Sequence, residues 1–190
     1  MNTAMAIVLD ASGSVNASQW QLMLDGYSRG LASPEVIQAI VADGGMAVCV
    51  IHYDDSPVLV IEWRRLATEQ DVHRFASDFR AMERQGYLST ATGTAILMAT
   101  RQLAPMNVEN KLINISTDGP SNYGFDPRIA RDQAQSMDIR INCVGIITQT
   151  GDPTEWLEEN IKTEDGFVVV ANGWQDFQRA IKRKLVMELS

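Results

Sequence analysis

Oxygen-bearing side chains follow the first apolar run of the sequence at alternate positions. Asp10, Ser12 and Ser14 form the pattern D-x-S-x-S directly after the run AMAIVL. Because alternate residues of an extended segment point to the same side, the three side chains can direct oxygen atoms into one small volume. Oxygen ligands select hard cations such as Mg²⁺, Mn²⁺ or Ca²⁺. The pattern therefore indicates part of a divalent-metal site.

Two later segments carry residues that can complete such a site. Thr90 lies in the polar run STATG, and Asp118 lies in TDG after the strand-like run KLINIS. Taken alone, Asp10 and Ser12 would be turn and helix-entry residues, and Thr90 would be a helix cap. An Asp followed by Gly, as at position 118, would be an ordinary turn. The metal-site hypothesis therefore depends on the whole set.

The rest of the sequence indicates the fold that must position these residues. Short apolar runs alternate with longer amphipathic stretches, which predicts strands joined by crossover helices. The turn sequence DDSP followed by VLVIEW predicts a hairpin to an edge strand. The expected architecture is an α/β, doubly wound, mostly parallel open sheet of about six strands, with one antiparallel edge strand and helices on both faces. The predicted strands lie at residues 4–9, 46–53, 58–63, 111–117, 140–147 and 167–170.

The helices are predicted from capping residues and periodicity. Ser18 is expected to cap the first helix, which reaches about residue 32, and Thr68 is expected to cap another that reaches about residue 83. Proline in a first turn marks two more starts, at Ser33-Pro34 and Asp126-Pro127. Two further helices are predicted at 93–103 and 174–188.

A doubly wound sheet brings its ligand-binding loops to one edge. Ligands gather outside the carboxyl ends of the strands, at the point where the winding reverses. The loops after the first and fourth predicted strands carry D-x-S-x-S and TDG, and the loop that enters the helix at 93–103 carries STATG. The residues expected to converge at this edge are Asp10, Ser12, Ser14, Thr90 and Asp118.

In this order and spacing, the sequence resembles the metal-ion-dependent adhesion site of von Willebrand factor A and integrin I domains. That site is D-x-S-x-S, then a distant Thr, then a distant Asp, and the last two match Thr90 in TATGTAI and Asp118 in INISTDG. The resemblance covers nearly the whole chain. The stretches DGPSN and AIKRKLVMEL resemble more particularly an uncharacterised bacterial subfamily of unknown function. One departure is Leu88-Ser89, where the family often has glycines.

The resemblance implies one domain over residues 1–190 and one bound divalent ion. In the family, the hydroxyls contact the ion, and the aspartates act directly or through water. Mg²⁺ is the expected ion, with Mn²⁺ or Ca²⁺ as alternatives. Three neutral hydroxyls and at most two carboxylates leave such an ion electrophilic toward an external acidic oxygen. The expected partner is therefore a protein or peptide that presents Asp or Glu.

Composition narrows the class of protein. A chain of 190 residues, 45% hydrophobic and 21% charged, has the make-up of one globular domain. The net charge of −8 argues against general nucleic-acid binding. The sequence contains no run of 18 apolar residues, so we do not expect it to insert into a membrane. The first ten residues, MNTAMAIVLD, lack the charged segment and cleavage site of a secretory signal. We therefore expect a soluble protein. Its localisation stays open, because an export segment could have preceded the first residue of this sequence.

The remaining candidate residues receive plain structural interpretations. The predictions are buried thiols for Cys49 and Cys143, a strand-end residue for His52, turn residues for Asp54 and Asp55, and core packing for Trp20 and Trp174. The four basic residues of the last helix are expected to form a solvated face that complements the helix dipole. They are Arg179, Lys182, Arg183 and Lys184.

The two main alternatives to metal-dependent binding are a phosphatase-like hydrolase and a metal-free structural scaffold. A metal-dependent, phosphatase-like hydrolase with Asp10 as nucleophile needs an acidic residue two positions later to protonate the leaving group, and Ser12 stands there. A serine hydrolase would need G-x-S-x-G, and a nucleotide-binding protein would need a P-loop or G-x-G-x-x-G. The second alternative is a metal-free structural scaffold. The sequence favours a non-enzymatic, metal-dependent interaction domain.

Overall fold

A six-stranded sheet forms the centre of the protein. The computed structural model describes residues 2–86 and 88–189. Each of the predicted strands is present, with small differences at the ends. The strands are β1 (Thr3–Asp10), β2 (Met46–Tyr53), β3 (Val58–Leu66), β4 (Asn110–Thr117), β5 (Ile139–Ile146) and β6 (Val168–Ala171).

Helices connect the strands and cover the sheet. They are α1 (Ala17–Leu31), α2 (Pro34–Ala42), α3 (Glu69–Arg80), α4 (Thr92–Leu103), α5 (Pro127–Gln135), α6 (Thr154–Asn160) and α7 (Phe177–Glu188). A 3₁₀ turn at Trp174–Asp176 precedes α7, so the last helix begins later than predicted. The sequence prediction missed α6, because a helix of seven residues is too short to show helical periodicity.

The order of the strands confirms the predicted fold class. The sheet runs β3-β2-β1-β4-β5-β6. β3 is antiparallel to β2, and the other neighbouring strands are parallel. The chain winds outward from β1 to β3 in one direction and from β4 to β6 in the other. The winding therefore reverses between β1 and β4, and the carboxyl ends of these two strands form the expected ligand-binding edge.

Apolar side chains cover both faces of the sheet. On one face, Ile7 and Leu9 of β1 belong to a buried cluster with side chains of α1, α3 and α7. On the other face, Ala6 and Val8 of β1 pack with side chains of α4, α5 and α6. A strand buried on both faces requires a continuous apolar sequence, which is what the run before Asp10 provides. The site loops therefore extend from a closely packed frame.

The start of α1 differs from the prediction, because Asn16 and not Ser18 caps the helix. The Gln19 backbone N–H donates to Asn16 Oδ1 at 3.0 Å, and the Asn16 N–H donates to Gln19 Oε1 at 2.7 Å. This capping box satisfies two helix-end N–H groups at once, so the helix begins earlier than expected. Thr68 caps α3 as predicted, although α3 ends at Arg80 rather than near residue 83.

The predicted solvated face of the last helix is wrong for Lys184. Its ammonium is fully buried and lies 2.6 Å from Glu188 Oε1, one helical turn later. Asn114 and Asn142, on β4 and β5, donate to the same carboxylate at 2.8 and 3.0 Å. Polar residues of β4 and β5 therefore hydrogen-bond the buried end of α7. The helix sequence alone does not contain that information.

The predictions for the two cysteines, His52 and two of the tryptophans agree with the structure. Cys49 and Cys143 are free and buried, and Trp20 and Trp174 belong to the core. His52 is the penultimate residue of β2, at the strand end as predicted, and its side chain is fully buried. Across residues 2–86 and 88–189, no helix combines the length and apolar character needed to cross a bilayer.

Candidate metal centre

The β1–α1 loop folds its polar side chains together. The Ser12 backbone N–H donates to Asp10 Oδ1 at 2.9 Å, and the Ser12 and Ser14 hydroxyls lie 3.2 Å apart. Asp10 and Ser12 are each 1% exposed, whereas Ser14 is exposed. Two of the three oxygen-bearing side chains of the D-x-S-x-S segment are thus buried, and the third lies at the surface.

The end of β4 joins this loop through two hydrogen bonds. The Ser14 hydroxyl donates to Asp118 Oδ1 at 2.7 Å, and the Thr117 hydroxyl donates to Asp10 Oδ2 at 2.6 Å. β1 and β4 are paired neighbours at the point where the winding reverses, which is why residues so distant in sequence meet here. Asp118 is buried in this arrangement and is 8% exposed.

Thr90 is held at the same edge by the β4–α5 loop. Its backbone N–H donates to Asn122 Oδ1 at 2.8 Å, and its carbonyl accepts from the Asn122 N–H at 3.0 Å. Gly93 allows this loop to lie against the start of α4, since a Cβ there would come within 2.1 Å of the Phe125 carbonyl oxygen. Thr90 lines one cavity together with Ser14 and Asp118. The structure therefore brings the five predicted site residues to one edge.

Within the described residues, the Asp10 and Asp118 carboxylates are not paired with a cationic side chain. Burial raises the pKa of Asp10 to about 6, although hydrogen bonds from Ser12 and Thr117 oppose the shift. Burial also raises the pKa of Asp118. In the part of the chain that the structure describes, no Lys, Arg or His forms an ion pair with either residue. A divalent cation would remove the cost of burying these charges.

The donor set fits a hard divalent cation. Within the described ranges, no group of three or more His, Cys, Asp or Glu side chains is arranged to hold a metal ion. An ion at this edge would therefore need hydroxyl oxygens in addition to the two carboxylates. Ser12, Ser14 and Thr90 supply such oxygens, and Mg²⁺, Mn²⁺ and Ca²⁺ accept them.

Two residues that the sequence did not single out for the site support its loops. The Arg84 guanidinium donates to the Ala11 carbonyl at 2.9 Å and also to the Ser12 carbonyl. The Asp54 carboxylate accepts from the Ser56 N–H at 3.1 Å, as expected of a turn residue, and also from the Leu88 N–H at 3.4 Å. Asp54 ends up here because its strand, β2, neighbours β1. No sequence signal marks Arg84, which lies between predicted elements.

The loop that contains Leu88 and Ser89, where the sequence departs from the family pattern, still contacts the β1–α1 loop. The Gly13 N–H donates to the Leu88 carbonyl at 2.8 Å. The carbonyl of Asp54 accepts from the Ala91 N–H at the same distance, 2.8 Å. Backbone contacts on both sides of Thr90 therefore connect its segment to both neighbouring loops.

Solved structures share this fold. Proximal thread matrix protein 1 from the mussel byssus, described with a zinc-occupied MIDAS motif, gives a TM-score of 0.79 at 18% identity over 100% of this chain and 48% of that chain. A von Willebrand factor type A protein from Catenulispora acidiphila gives 0.69 at 15% identity over 99% and 43%. BatB, a conserved hypothetical protein from Bacteroides thetaiotaomicron, gives 0.66 at 18% identity over 98% of both chains. The chain thus spans about half the length of the mussel protein.

These comparisons confirm the predicted resemblance at the level of the fold and assign a sequence family. No curated protein matches the chain in sequence. The family model described as "Protein of unknown function (DUF1194)" matches residues 1–190. The chain therefore belongs to the DUF1194 family and has the von Willebrand factor A fold.

Proposed function

We propose that residues 1–190 form one interaction domain that uses a divalent metal ion to bind a carboxylate of a partner protein. The observation that carries this proposal is the hydrogen-bonded cluster of Asp10, Ser12, Ser14 and Asp118 beside Thr90. It contains every side chain of the adhesion-site pattern at one sheet edge. The mussel protein, which shares this fold and is described with a zinc-occupied MIDAS motif, supports a divalent ion as the ligand.

The charge of the donor set explains why such a site would attract an acidic partner. Ser12, Ser14 and Thr90 would hold the ion through neutral hydroxyls, while Asp10 and Asp118 would act directly or through water. The bound ion supplies a strong positive charge for an external carboxylate oxygen. We expect Mg²⁺ as the native ion, with Mn²⁺ or Ca²⁺ as substitutes, because each accepts hydroxyl and carboxylate oxygens.

The same residues support binding rather than hydrolysis. A phosphatase mechanism through Asp10 needs a proton donor two residues later, and Ser12 there cannot act as a carboxylic acid. A net charge of −8 opposes nucleic acid as the partner. A protein or peptide with an exposed Asp or Glu is the proposed partner, since the ion offsets repulsion between two acidic surfaces.

Thermal unfolding tests the metal site directly. We expect MgCl₂ or MnCl₂ to raise the melting temperature relative to EDTA, because the ion binds the folded state preferentially. Asp10→Ala and Asp118→Ala should remove this rise. Asp132→Ala, which removes an exposed carboxylate of α5, is the matched control and should keep it. A rise that survives both site substitutions would place metal binding elsewhere and overturn the proposal.

A further inference from the structure

Two cavities meet at the candidate metal centre. The larger, of about 850 Å³, extends from Ser14 and Asp118 along the β5–α6 loop to Trp174. The smaller, of about 460 Å³, extends from the same two residues to Trp156. Thr150 also lines both cavities. The two cavities therefore adjoin at the metal centre, and one tryptophan lines each of them.

A third cavity extends this space over exposed aromatic side chains. It has a volume of about 390 Å³ and shares Asn122 and Trp156 with the second cavity. Tyr123 and Phe125 line it, and they are 57% and 41% exposed. Apolar side chains of this size lose water-exposed area when a partner covers them. We call the three cavities together the acceptor groove.

The charges of the acceptor groove restrict what can occupy it. In the described ranges, no Lys, Arg or His lines the two cavities that meet at the metal centre, whereas Asp118 and Asp152 do. Arg128 in the third cavity is paired with Asp126 at 3.1 Å. A metal ion would therefore be the attraction for one carboxylate, and further carboxylates would meet Asp152 and a net charge of −8.

We infer that the acceptor groove takes an extended peptide segment in which one Asp or Glu is flanked on both sides by large apolar residues. This inference rests on the proposed metal-dependent binding. A chain that places its acid on the ion directs the residues before and after it into separate cavities. Cavities of this size accommodate large side chains, and an indole lines each of the two. Apart from Asp118 and Asp152, the residues that line these two cavities are uncharged. With Asp118 at the metal centre, Asp152 is the one carboxylate of this lining left to attract a basic flank, whereas each cavity offers an indole on which an apolar flank can pack.

Peptides of equal length test the flanks. The probes carry a central Asp flanked by Leu and Phe, by Ser, by further Asp, or by Lys, and binding to the Mn²⁺-loaded protein is followed by fluorescence anisotropy. We expect the apolar-flanked peptide to bind about tenfold more tightly than the Ser-flanked one, the Asp-flanked peptide to bind most weakly, and EDTA to release all of them. Equal affinities, or tightest binding of the Lys-flanked peptide, would overturn the inference.

Variants of the groove wall give a second test. Tyr123→Ser and Trp156→Ala should each weaken the apolar-flanked peptide about tenfold and leave the Ser-flanked peptide unchanged. Met137→Ala, at an exposed apolar residue outside the groove, is the control. Tyr123 is the safer position, because Trp156 also packs against the core. Unchanged affinity in Tyr123→Ser and Trp156→Ala would contradict the inference.

The metal-dependent melting shift separates the two levels of failure. If the unmodified protein shows no such shift, the proposed function itself fails. If the shift is present but no peptide binds, or the flanks have no effect, only the peptide inference fails. Each combination of results thus supports or overturns a defined statement about the groove or about the metal centre.

Discussion

The Thr117 hydroxyl donates a 2.6 Å hydrogen bond to Asp10 Oδ2 and so joins the ends of the two central strands, β4 and β1. Both residues are 1% exposed. The second carboxylate oxygen of Asp10 accepts from the Ser12 N–H. Neutral donors therefore satisfy the hydrogen bonding of Asp10 without neutralising its charge. This unbalanced charge leads to two predictions.

Replacing Asp10 by asparagine should stabilise the metal-free protein. Burial raises the pKa of Asp10 from 3.8 to about 6, so the ionised carboxylate costs stability once the pH rises through this interval. At pH 7, Asp10→Asn should increase the free energy of unfolding in EDTA by about 1 to 3 kcal/mol, measured by urea denaturation. The same variant should lose the stabilisation by Mg²⁺. Lower stability of Asp10→Asn in EDTA would contradict the prediction.

Stabilisation by metal should weaken as the pH falls through about 6. A proton on Asp10 competes with the ion, and the folded-state pKa of this residue is about 6 rather than 3.8. The burial-raised pKa of Asp118 acts in the same direction. The measurement is the melting shift caused by Mn²⁺ between pH 5 and pH 8, with EDTA samples as the reference at each pH. A shift that is as large at pH 5 as at pH 8 would exclude competition at Asp10.

The sequence could predict the sheet and the meeting of the site residues for a physical reason. Strands buried on both faces need continuous apolar runs, and parallel strands need crossover helices, so the alternation of the two is visible in the sequence. Asp10 and Asp118 each follow such a run directly. Their meeting at one edge then follows from the winding of the sheet. This placement does not depend on detailed side-chain packing.

The contacts that support the site could not be predicted in the same way. Arg84 reaches the Ala11 carbonyl across 73 residues of sequence, and Lys184 is buried because Asn114 and Asn142 accommodate its partner Glu188. These contacts depend on the tertiary packing of helices, strands and loops that are distant in the sequence. A basic residue in a loop or a helix has the same local pattern whether it is solvated or buried.

Arg84 should matter to metal binding without touching the ion. Its guanidinium donates to the carbonyls of Ala11 and Ser12 and so fixes the backbone of the β1–α1 loop. Arg84→Met should weaken Mn²⁺ binding about tenfold in calorimetry, since two charge-assisted hydrogen bonds are lost. Arg64→Met removes an exposed ion pair with Asp78 and serves as the control. Equal Mn²⁺ affinities for the two variants would show that Arg84 does not position the loop.

His52 should make the fold sensitive to acid. Burial lowers the pKa of its ring from 6.5 to about 4, so the unfolded chain binds a proton at a higher pH than the folded protein does. The free energy of unfolding therefore keeps its full value above pH 6.5 and decreases as the pH falls toward 4, because the unfolded chain takes up a proton at His52 that the folded protein does not. His52→Phe should keep the edge-on contact with Trp20 and reduce this loss. Urea denaturation at pH 7 and pH 5 measures the difference, and an unchanged acid loss in the variant would assign it to other groups.

The buried pair of Lys184 and Glu188 should show strong coupling in a double-mutant cycle. Lys184→Met leaves a buried carboxylate without its cation and should lower the free energy of unfolding by about 3 to 5 kcal/mol. Lys184→Met combined with Glu188→Gln should recover part of this loss, because the amide removes the unpaired buried charge and its single carbonyl oxygen can still accept from one of the two asparagines, which donate to different carboxylate oxygens of Glu188. Lys182→Met breaks only an exposed pair with Glu35 and should change stability by less than about 1 kcal/mol. All of these values are read from urea denaturation. If the double variant is as unstable as the sum of its single variants, the two buried charges do not stabilise each other, and α7 is held mainly by its apolar side.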